Sequence, residues 1–399
     1  MSLSNTPDRY GLVSRALHWL TAGLILVLLP LGLIAEEWPY DTGAQLAVKA
    51  QLFSLHKTLG ILVFFLALAR LVWTALQPHP ALLNGDRRIE ARLAQTVHWL
   101  LYVALVGTPL TGWIHHAATE GFAPIWWPFG QSLPLVPKSE SVSVLFSGLH
   151  LVFVLLLVAT LGLHVAGALK HHLFDRDATL RRMLFGTRAP GQPDAEAPRV
   201  TAVAAVAVAL VAIGLGAAAG LYEGETDAQE TQALAAVESG WEVQEGTLAI
   251  TVSQMGADVT GAFADWTASI DFTEEAVAGK HGTAEVTIAI GSLTLGSVTD
   301  KAMGPEYFDA GSFPTATFRA DLLPADGEGQ YLADGVLSLR GADVPVQMPF
   351  TLDISGDTAE MTATVTLDRR DFHIGDTQTD AKTLGFDVVV DIALTAQRS

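Results

Sequence analysis

The sequence has no cysteine in 399 residues. This absence excludes disulfides, iron–sulfur clusters, thiolate zinc sites and covalent c-type haem attachment together. Any redox group must therefore sit on histidine or methionine or in a non-covalent pocket. Charge is also scarce: 16% of residues are Asp, Glu, Lys or Arg, against 50% hydrophobic. Positive charge is thinnest in the second part. Residues 1–221 carry 15 Lys+Arg against 12 Asp+Glu, whereas residues 222–399 carry 8 against 30. A segment this acidic repels nucleic acid and anionic membrane surfaces, so nucleic acid is not expected among the partners.

What is present in the first part is apolar sequence in long runs. Five stretches reach the roughly 20 residues needed to cross a bilayer: Ala16–Ile34, Leu52–Leu76, Ala94–Ile114, Val144–Leu169 and Val200–Leu221. The first four are rich in Leu, Val, Phe and Trp, and the fifth in Ala, Val and Gly. Basic residues alternate between loops. Arg9 and Arg15 precede span one; Arg87, Arg88 and Arg92 separate spans two and three; Lys170, Arg176, Arg181, Arg182, Arg188 and Arg199 separate spans four and five. The other loops hold only Lys49 and Lys138. By the excess of positive charge on the cytoplasmic side, the N-terminus is expected inside and residues 222–399 outside, which in a bacterium is the periplasm. The small-residue end of span five, Ala217-Ala218-Ala219-Gly220, resembles a signal-peptide cleavage region; its length favours retention as an anchor.

Four segments are expected: a four-span unit over 1–188, a linker and fifth span over 189–222, an acidic linker over 223–240, and a folded domain over 241–399. From Trp241 onward polar and apolar residues alternate in eight stretches: 247–255, 257–266, 283–290, 315–322, 331–339, 344–354, 360–367 and 384–394. Such spacing predicts an up-and-down antiparallel barrel. Only Ser297–Phe308 reads as helix. The fold class is thus a multidomain chain, all-α in the membrane and all-β after it.

Ten of the twelve histidines fall in the first 172 residues, several inside the spans. An ionisable side chain there is costly unless it has a partner. His18 lies near the inner end of span one and His56 near the outer end of span two. Span four carries His150 and His164, 14 positions apart; that is about 3.9 turns and roughly 21 Å of rise, so both project from nearly one face at two depths. His164 is level with His18, and His150 with His56. Facing imidazoles at one level can cradle a haem iron through both axial positions, which suits electron transfer rather than ligand binding. A single buried histidine is as readily an ordinary hydrogen-bonding core residue, but four that pair by depth are not, and the levels are too far apart for one copper or zinc centre. His98, near the inner end of span three, could replace His18 or bond a haem propionate; the second is preferred because the first would orphan His18. Arg70, in span two, needs an anion, and a propionate serves, with snorkelling to headgroups as the alternative. His171 and His172, where span four leaves the membrane, could relay protons to a quinone or be ordinary interfacial residues. His79, His115 and His116 read as solvated.

Ser14-Arg15-Ala16-Leu17-His18-Trp19, Leu55-His56-Lys57-Thr58-Leu59-Gly60, Gly148-Leu149-His150 and Leu163-His164 through Lys170-His171-His172-Leu173-Phe174 resemble the bacterial cytochrome b-561 family over roughly residues 8–186. The resemblance implies two b haems between four helices and electron exchange with the quinone pool; some members oxidise superoxide and reduce ubiquinone. Gly261-Ala262-Phe263, Tyr307-Phe308-Asp309, Phe313-Pro314-Thr315-Ala316-Thr317-Phe318, Gly335 to Gly341 and Arg370-Asp371-Phe372 are similar to the YceI-like family of periplasmic, lipocalin-like isoprenoid binders. An eight-stranded barrel has room for its own side chains or one slim ligand. Phe263, Phe308, Phe313, Phe318, Phe350, Phe372 and Phe386 are the candidate pocket residues, though any one of them is more readily core. Arg370 and Asp371 are expected to pair with each other or with turn backbone. Ala289 is read as inward-facing from the alternation along 283–290, with Ile288 and Ile290 on the other face.

The expected cofactors are two b haems and ubiquinone or another isoprenoid, and the expected partners the inner membrane, the quinone pool and an isoprenoid lipid, with a homodimer or separate redox partner possible in addition. The expected activity is electron transfer between a periplasmic donor, superoxide being the best candidate, and ubiquinone. Two alternatives differ in class: a periplasmic quinone carrier whose cargo the cytochrome reduces or senses, and a haem subunit of a larger dehydrogenase.

Overall fold

Long apolar runs must satisfy every backbone group internally once water is excluded, and helices do so. In a computed structural model, which describes residues 2–40, 42–119, 123–191, 198–223, 234–235 and 237–399, all five runs are helices: α1 Leu12–Glu37, α2 Gly43–Leu76, α3 Arg88–Ala118, α4 Glu140–Lys170 and, after the short α5 Thr179–Phe185, α6 Pro198–Ala218. All five long helices have the length and hydropathy to cross a membrane, and the chain is a multi-pass membrane protein. Leu33 is 70% exposed and Leu210 62%, the outward apolar surface that lipid requires. Most residues of the two expected linkers, 192–197 and 224–233, lie outside the described residues.

The chain divides into two compact units, residues 1–38, 49–119 and 125–224 in one and 39–48, 120–124 and 225–399 in the other. In the first, Ile25, Val63, Ala67, Leu100, Ala104, Leu105, Leu156 and Leu157 form a core that also takes in Ala205 and Ala209 of α6. Small residues let helix backbones approach closely in lipid. A Cβ at Gly148 would collide with the Leu221 carbonyl oxygen, and one at Gly216 would fall 2.5 Å from the Tyr222 hydroxyl. The fifth span is thus packed into the bundle through its alanines and glycines, which explains its odd composition. It ends at Gly220, whose φ of +72° suits a residue without a Cβ.

Among the described residues the second unit holds ten antiparallel strands: β1 Trp241–Gln254, β2 Ala257–Phe263, β3 Trp266–Val277, β4 Lys280–Ala289, β5 Leu293–Thr294, β6 Thr315–Pro324, β7 Gln330–Leu339, β8 Ala342–Ser355, β9 Thr358–Asp368 and β10 Leu384–Arg398. They hydrogen-bond in the order β3-β4-β6-β7-β8-β9-β10-β1-β2-β5, a curled half-barrel. The helix expected over 297–308 is short, a 3₁₀ turn at Gly296–Val298 followed by α7 Thr299–Met303.

Register fixes which residues face inward. Val286 pairs with Phe318 and Ala284 with Ala320; Ala320 pairs in turn with Gly335, and Leu322 with Ala333. The inner face of β4 is therefore Ala284, Val286 and Ile288. Ala289 has the opposite parity, pairing with Thr315, and is 2% exposed because the chain closes over it: its carbonyl accepts the Ser292 hydroxyl at 2.7 Å.

Candidate functional site

Two histidine clusters form in the helical unit, at the two depths that spacing along α4 dictates. At the inner level the His18 and His164 rings lie 6.1 Å apart between centroids. His98 approaches His164 from α3, at 4.9 Å and nearly perpendicular. These two separations differ in meaning. Metal–imidazole bonds of about 2 Å place two trans rings about 6 Å apart between centroids. His18 with His164 meets that requirement, and His98 with His164 is too close for it. The His98 Nδ1 instead donates to the Ala94 carbonyl of its own helix at 2.7 Å.

At the outer level the imidazoles are His56 of α2 and His150 of α4. Each imidazole rests against a glycine of a neighbouring helix. A Cβ at Gly32 of α1 would meet His56 Cε1 at 2.8 Å, and one at Gly112 of α3 would meet His150 Nδ1 at 2.9 Å. Side chains at 32 and 112 would occupy the space of the rings. His150 Nδ1 also donates to the Thr108 carbonyl at 2.8 Å. That bond puts the ring proton on Nδ1 and leaves Nε2 as the donor atom for a metal, the usual arrangement of a ligating histidine. The residues fit a haem at each level.

Arg70 lies at the inner level, half-buried, with a guanidinium nitrogen 2.9 Å from His18 Nδ1 and its carbon 5.7 Å from the Tyr102 ring centroid. His171 and His172 occupy unlike surroundings. A π-helical turn spans His171–Asp175 and turns His171 inward: its Nδ1 lies 2.7 Å from Asp177 Oδ2 and 3.3 Å from Asp175, and its Nε2 3.4 Å from Glu90. Lys170 pairs with Glu90 at 2.6 Å and Arg87 with Asp175 at 3.1 Å. His172 is exposed. His115, expected to be solvated, is not: its Nδ1 lies 2.9 Å from the Ser143 carbonyl oxygen and 2.8 Å from its hydroxyl, because packing of α3 on α4 brings the ring against that turn.

The chain belongs to the prokaryotic cytochrome b561 family. That family matches residues 9–186, and a YceI-like domain matches residues 241–396. The chain is 32% identical to "Cytochrome b561 homolog 2" of Escherichia coli (strain K12) over 185 residues, which are 46% of this chain and 95% of that protein. It is 25% identical to the "Probable superoxide oxidase CybB" of Yersinia pestis over 177 residues, 44% of this chain and 96% of that one. The β unit is similar to BcnA of Burkholderia cenocepacia at 27% identity and a TM-score of 0.36, covering 38% of this chain and 96% of that one. A polyisoprenoid-binding domain of Saccharophagus degradans matches at 16% identity and a TM-score of 0.34, covering 41% and 100%. Membership implies b haem in the helical unit, and the YceI-like domain implies isoprenoid binding.

In the β unit of this cytochrome the seven candidate phenylalanines separate into groups. Phe263 and Phe308 meet edge to face at 6.3 Å in a core that includes Phe372, 1% exposed. Phe318 and Phe350 belong to a second cluster around Ala320, Leu322 and Met348. Phe313 packs against Gly341. Phe386 lies beneath the Arg370 guanidinium, 4.0 Å from its carbon, and faces a cation rather than other apolar rings. Arg370 pairs with Asp368 at 2.5 Å, not with Asp371, because the Asp368 side chain caps the 3₁₀ turn Arg369–Phe372; those bonds hold the Asp368 carboxyl below the usual carboxylate range.

Sequence reading missed Arg369. It is 3% exposed and donates to the carbonyls of Gly385, Ile374, Gly375, Gln378 and Leu384, tying the 374–385 segment to the strands. An arginine at a turn looks solvated in sequence, and only the carbonyl cage reveals its role. Arg369→Met is expected to leave those carbonyls unpartnered and cost about 3 kcal/mol or more. The check is the melting transition of the β unit, which should fall by on the order of 10 °C.

Proposed function

We propose that this cytochrome is a quinone-linked oxidoreductase holding two b haems, the outer on His56 and His150 and the inner on His18 and His164. The observation that carries the reading is the 6.1 Å between the His18 and His164 rings, with His150 on the same helix at the second depth. When bound, haem with two imidazole ligands supplies one-electron transfer and no open position at iron.

The chain's own residues orient that chemistry. A guanidinium has only donors, so His18 Nδ1 accepts from Arg70 and the ring proton sits on Nε2. Ligation by Nε2 requires the proton to move to Nδ1 and Arg70 to find another acceptor. A haem propionate is an anion of the right kind; His98, whose neutral ring keeps its proton on Nδ1 toward the Ala94 carbonyl, would donate to one only as an imidazolium. Quinone reduction takes up protons with electrons, and His171, clamped among Asp175, Asp177 and Glu90 at the inner end, is the relay; exposed His172 has no such carboxylate partners among the described residues. The donor is an outer-face reductant, with superoxide the best candidate, supported by the name of the Yersinia pestis relative. The β unit holds an isoprenoid quinone or related lipid.

The decisive experiment mixes the oxidised, haem-loaded protein with a superoxide source and a short-chain ubiquinone. Haem bands should reduce within the mixing time and quinol should accumulate; failure of superoxide to reduce the haems overturns the donor.

Orientation is tested separately. The N-terminus is cytoplasmic and the β unit periplasmic on the distribution of Lys and Arg. Protease added to intact spheroplasts should release the β unit and spare the 170–199 loop. Cleavage confined to that loop would invert the topology.

A further inference from the structure

His281 opens β4, where the β3–β4 hairpin turns, and is 8% exposed. Its ring stacks on Phe272 with centroids 5.4 Å apart and planes 12° apart. It meets Tyr331 edge-on at 4.9 Å, and Tyr331 stacks on Phe350 at 5.5 Å. Four aromatic rings thus gather at one end of the half-barrel interior. Tyr331, Phe350 and Phe272 also border the strip of small inner residues that includes Ala284 and Ala320.

Hydrogen bonding fixes what the histidine can offer. His281 Nδ1 lies 2.9 Å from the Thr273 carbonyl oxygen. A carbonyl only accepts, so the proton of the neutral ring is on Nδ1 and Nε2 is an acceptor. Among the described residues Nε2 has no hydrogen-bond partner. Where the hairpin turns, His281 and Phe272 also line an open cleft of about 440 Å³ with Trp241, Lys280 and Asp321, within the range of small-ligand sites; Tyr331 and Phe350 lie behind His281 and do not line it. Its cations are already engaged: Lys280 with Asp321 at 2.5 Å and Arg398 with Glu274 at 3.1 Å, the latter also over the Trp241 ring. An anionic headgroup such as a prenyl phosphate finds no uncommitted cation there and meets Asp271 and Asp321. The group that suits this end is flat, aromatic, uncharged and able to donate a hydroxyl hydrogen.

We propose that this cleft of the β unit binds the hydroquinone ring of an isoprenoid quinol, with His281 Nε2 accepting its hydroxyl and Phe272 and Trp241 supplying the apolar lining, and that it selects the quinol over the quinone. A quinone offers only carbonyl acceptors, which Nε2 of the neutral ring cannot satisfy. The inference rests on the reading that the β unit holds an isoprenoid, and it specifies the redox state of the cargo.

The test uses the full-length protein in mild detergent and a short-chain ubiquinone carrying an azide on its ring, supplied either oxidised or reduced without oxygen. After irradiation, mass spectrometry locates the label. The expected result is labelling of the 266–289 segment, five- to tenfold stronger for the reduced probe at subsaturating concentration, the weight of about one hydrogen bond. His281→Phe, which keeps an aromatic ring and removes the acceptor, should erase that difference. Should His281→Phe fail to fold, competition in the unaltered protein decides: unlabelled short-chain ubiquinol should displace the probe, and the matching ubiquinone should need five- to tenfold more. Equal labelling by both redox forms, or a preference that survives His281→Phe, overturns the proposal. Lipid extracted from the same protein separates the two readings. A prenyl phosphate as sole cargo refutes the quinol site and leaves the carrier reading standing, whereas a lipid-free protein refutes both.

Discussion

His150→Ala should yield protein with one haem instead of two, and His56→Ala should lose the same one. The retained haem should in each case depend on His18 and His164, so either of those changed to alanine removes the other spectral component. The expectation follows from helix geometry. His150 and His164 project from one face of α4 about 3.9 turns apart, and the chain brings a separate partner to each: α2 delivers His56 and α1 delivers His18. Pyridine haemochrome content per protein and the low-temperature spectrum are the measurements. His98→Ala is the critical control. At 4.9 Å from His164 its ring is too close to be the trans partner, so haem content should stay at two while the inner component shifts in potential. Loss of a haem in His98→Ala, with content unchanged in His18→Ala, would transfer the inner ligand from α1 to α3. Gly112 offers an independent check. A leucine there collides with the His150 ring, and the outer haem should be lost although no ligand has changed.

Much of this was legible in the sequence for a physical reason. Spans of about 20 apolar residues have no other stable state in lipid, and histidines inside them carry depth and face in their spacing alone. The strands of the β unit with clean alternation were visible for the same reason, since a half-buried strand must have period two. β3 was not. Its inner residues Trp266, Ala268, Ile270 and Phe272 alternate, but the strand runs on into exposed Thr273–Val277 with two glutamates, and as an edge strand it needs no apolar outer face. Parity was missed at Ala289, where burial comes from the segment that closes over the strand end rather than from the interior. The tautomers of His150, His98 and His281 are set by the carbonyls of Thr108, Ala94 and Thr273, and which carbonyl a ring meets is decided by packing, without trace in composition. Likewise nothing in the order of residues 171 and 172 says which histidine the π-helical turn will place among carboxylates.

Ala284→Trp should empty the β unit of its lipid while leaving it folded. Ala284 faces inward on β4, bonded on both sides by β3 and β6, and it is opposite Ala320, itself opposite Gly335. A side chain at 335 would strike the Ala320 methyl at 2.6 Å, so this stretch of inner surface is built from residues with almost no side chain. Ala284, Val286, Ile288, Phe318, Leu337, Val388 and Val390 all face inward yet are only partly buried, which means that the interior is not filled by the protein's own atoms. An isoprenoid chain is slim, apolar and long enough to lie along such a surface, and its burial draws on about 25 cal/mol per Å² of apolar area. An indole at 284 projects into that space and competes for it directly. Lipid content by mass spectrometry of protein extracted from native membranes should fall to near zero. The melting transition must be compared after delipidation of both proteins, because bound lipid itself raises it. If the interior is free, the delipidated variant melts with the delipidated parent. If it is packed, the added ring costs about 1–3 kcal/mol and lowers the transition by roughly 2–4 °C for each kcal/mol. Ala289→Trp, on the other parity, is the matched control: it should destabilise through its closed environment and leave lipid bound. A parent protein that comes out of mild detergent without lipid would end the carrier reading before either variant is made.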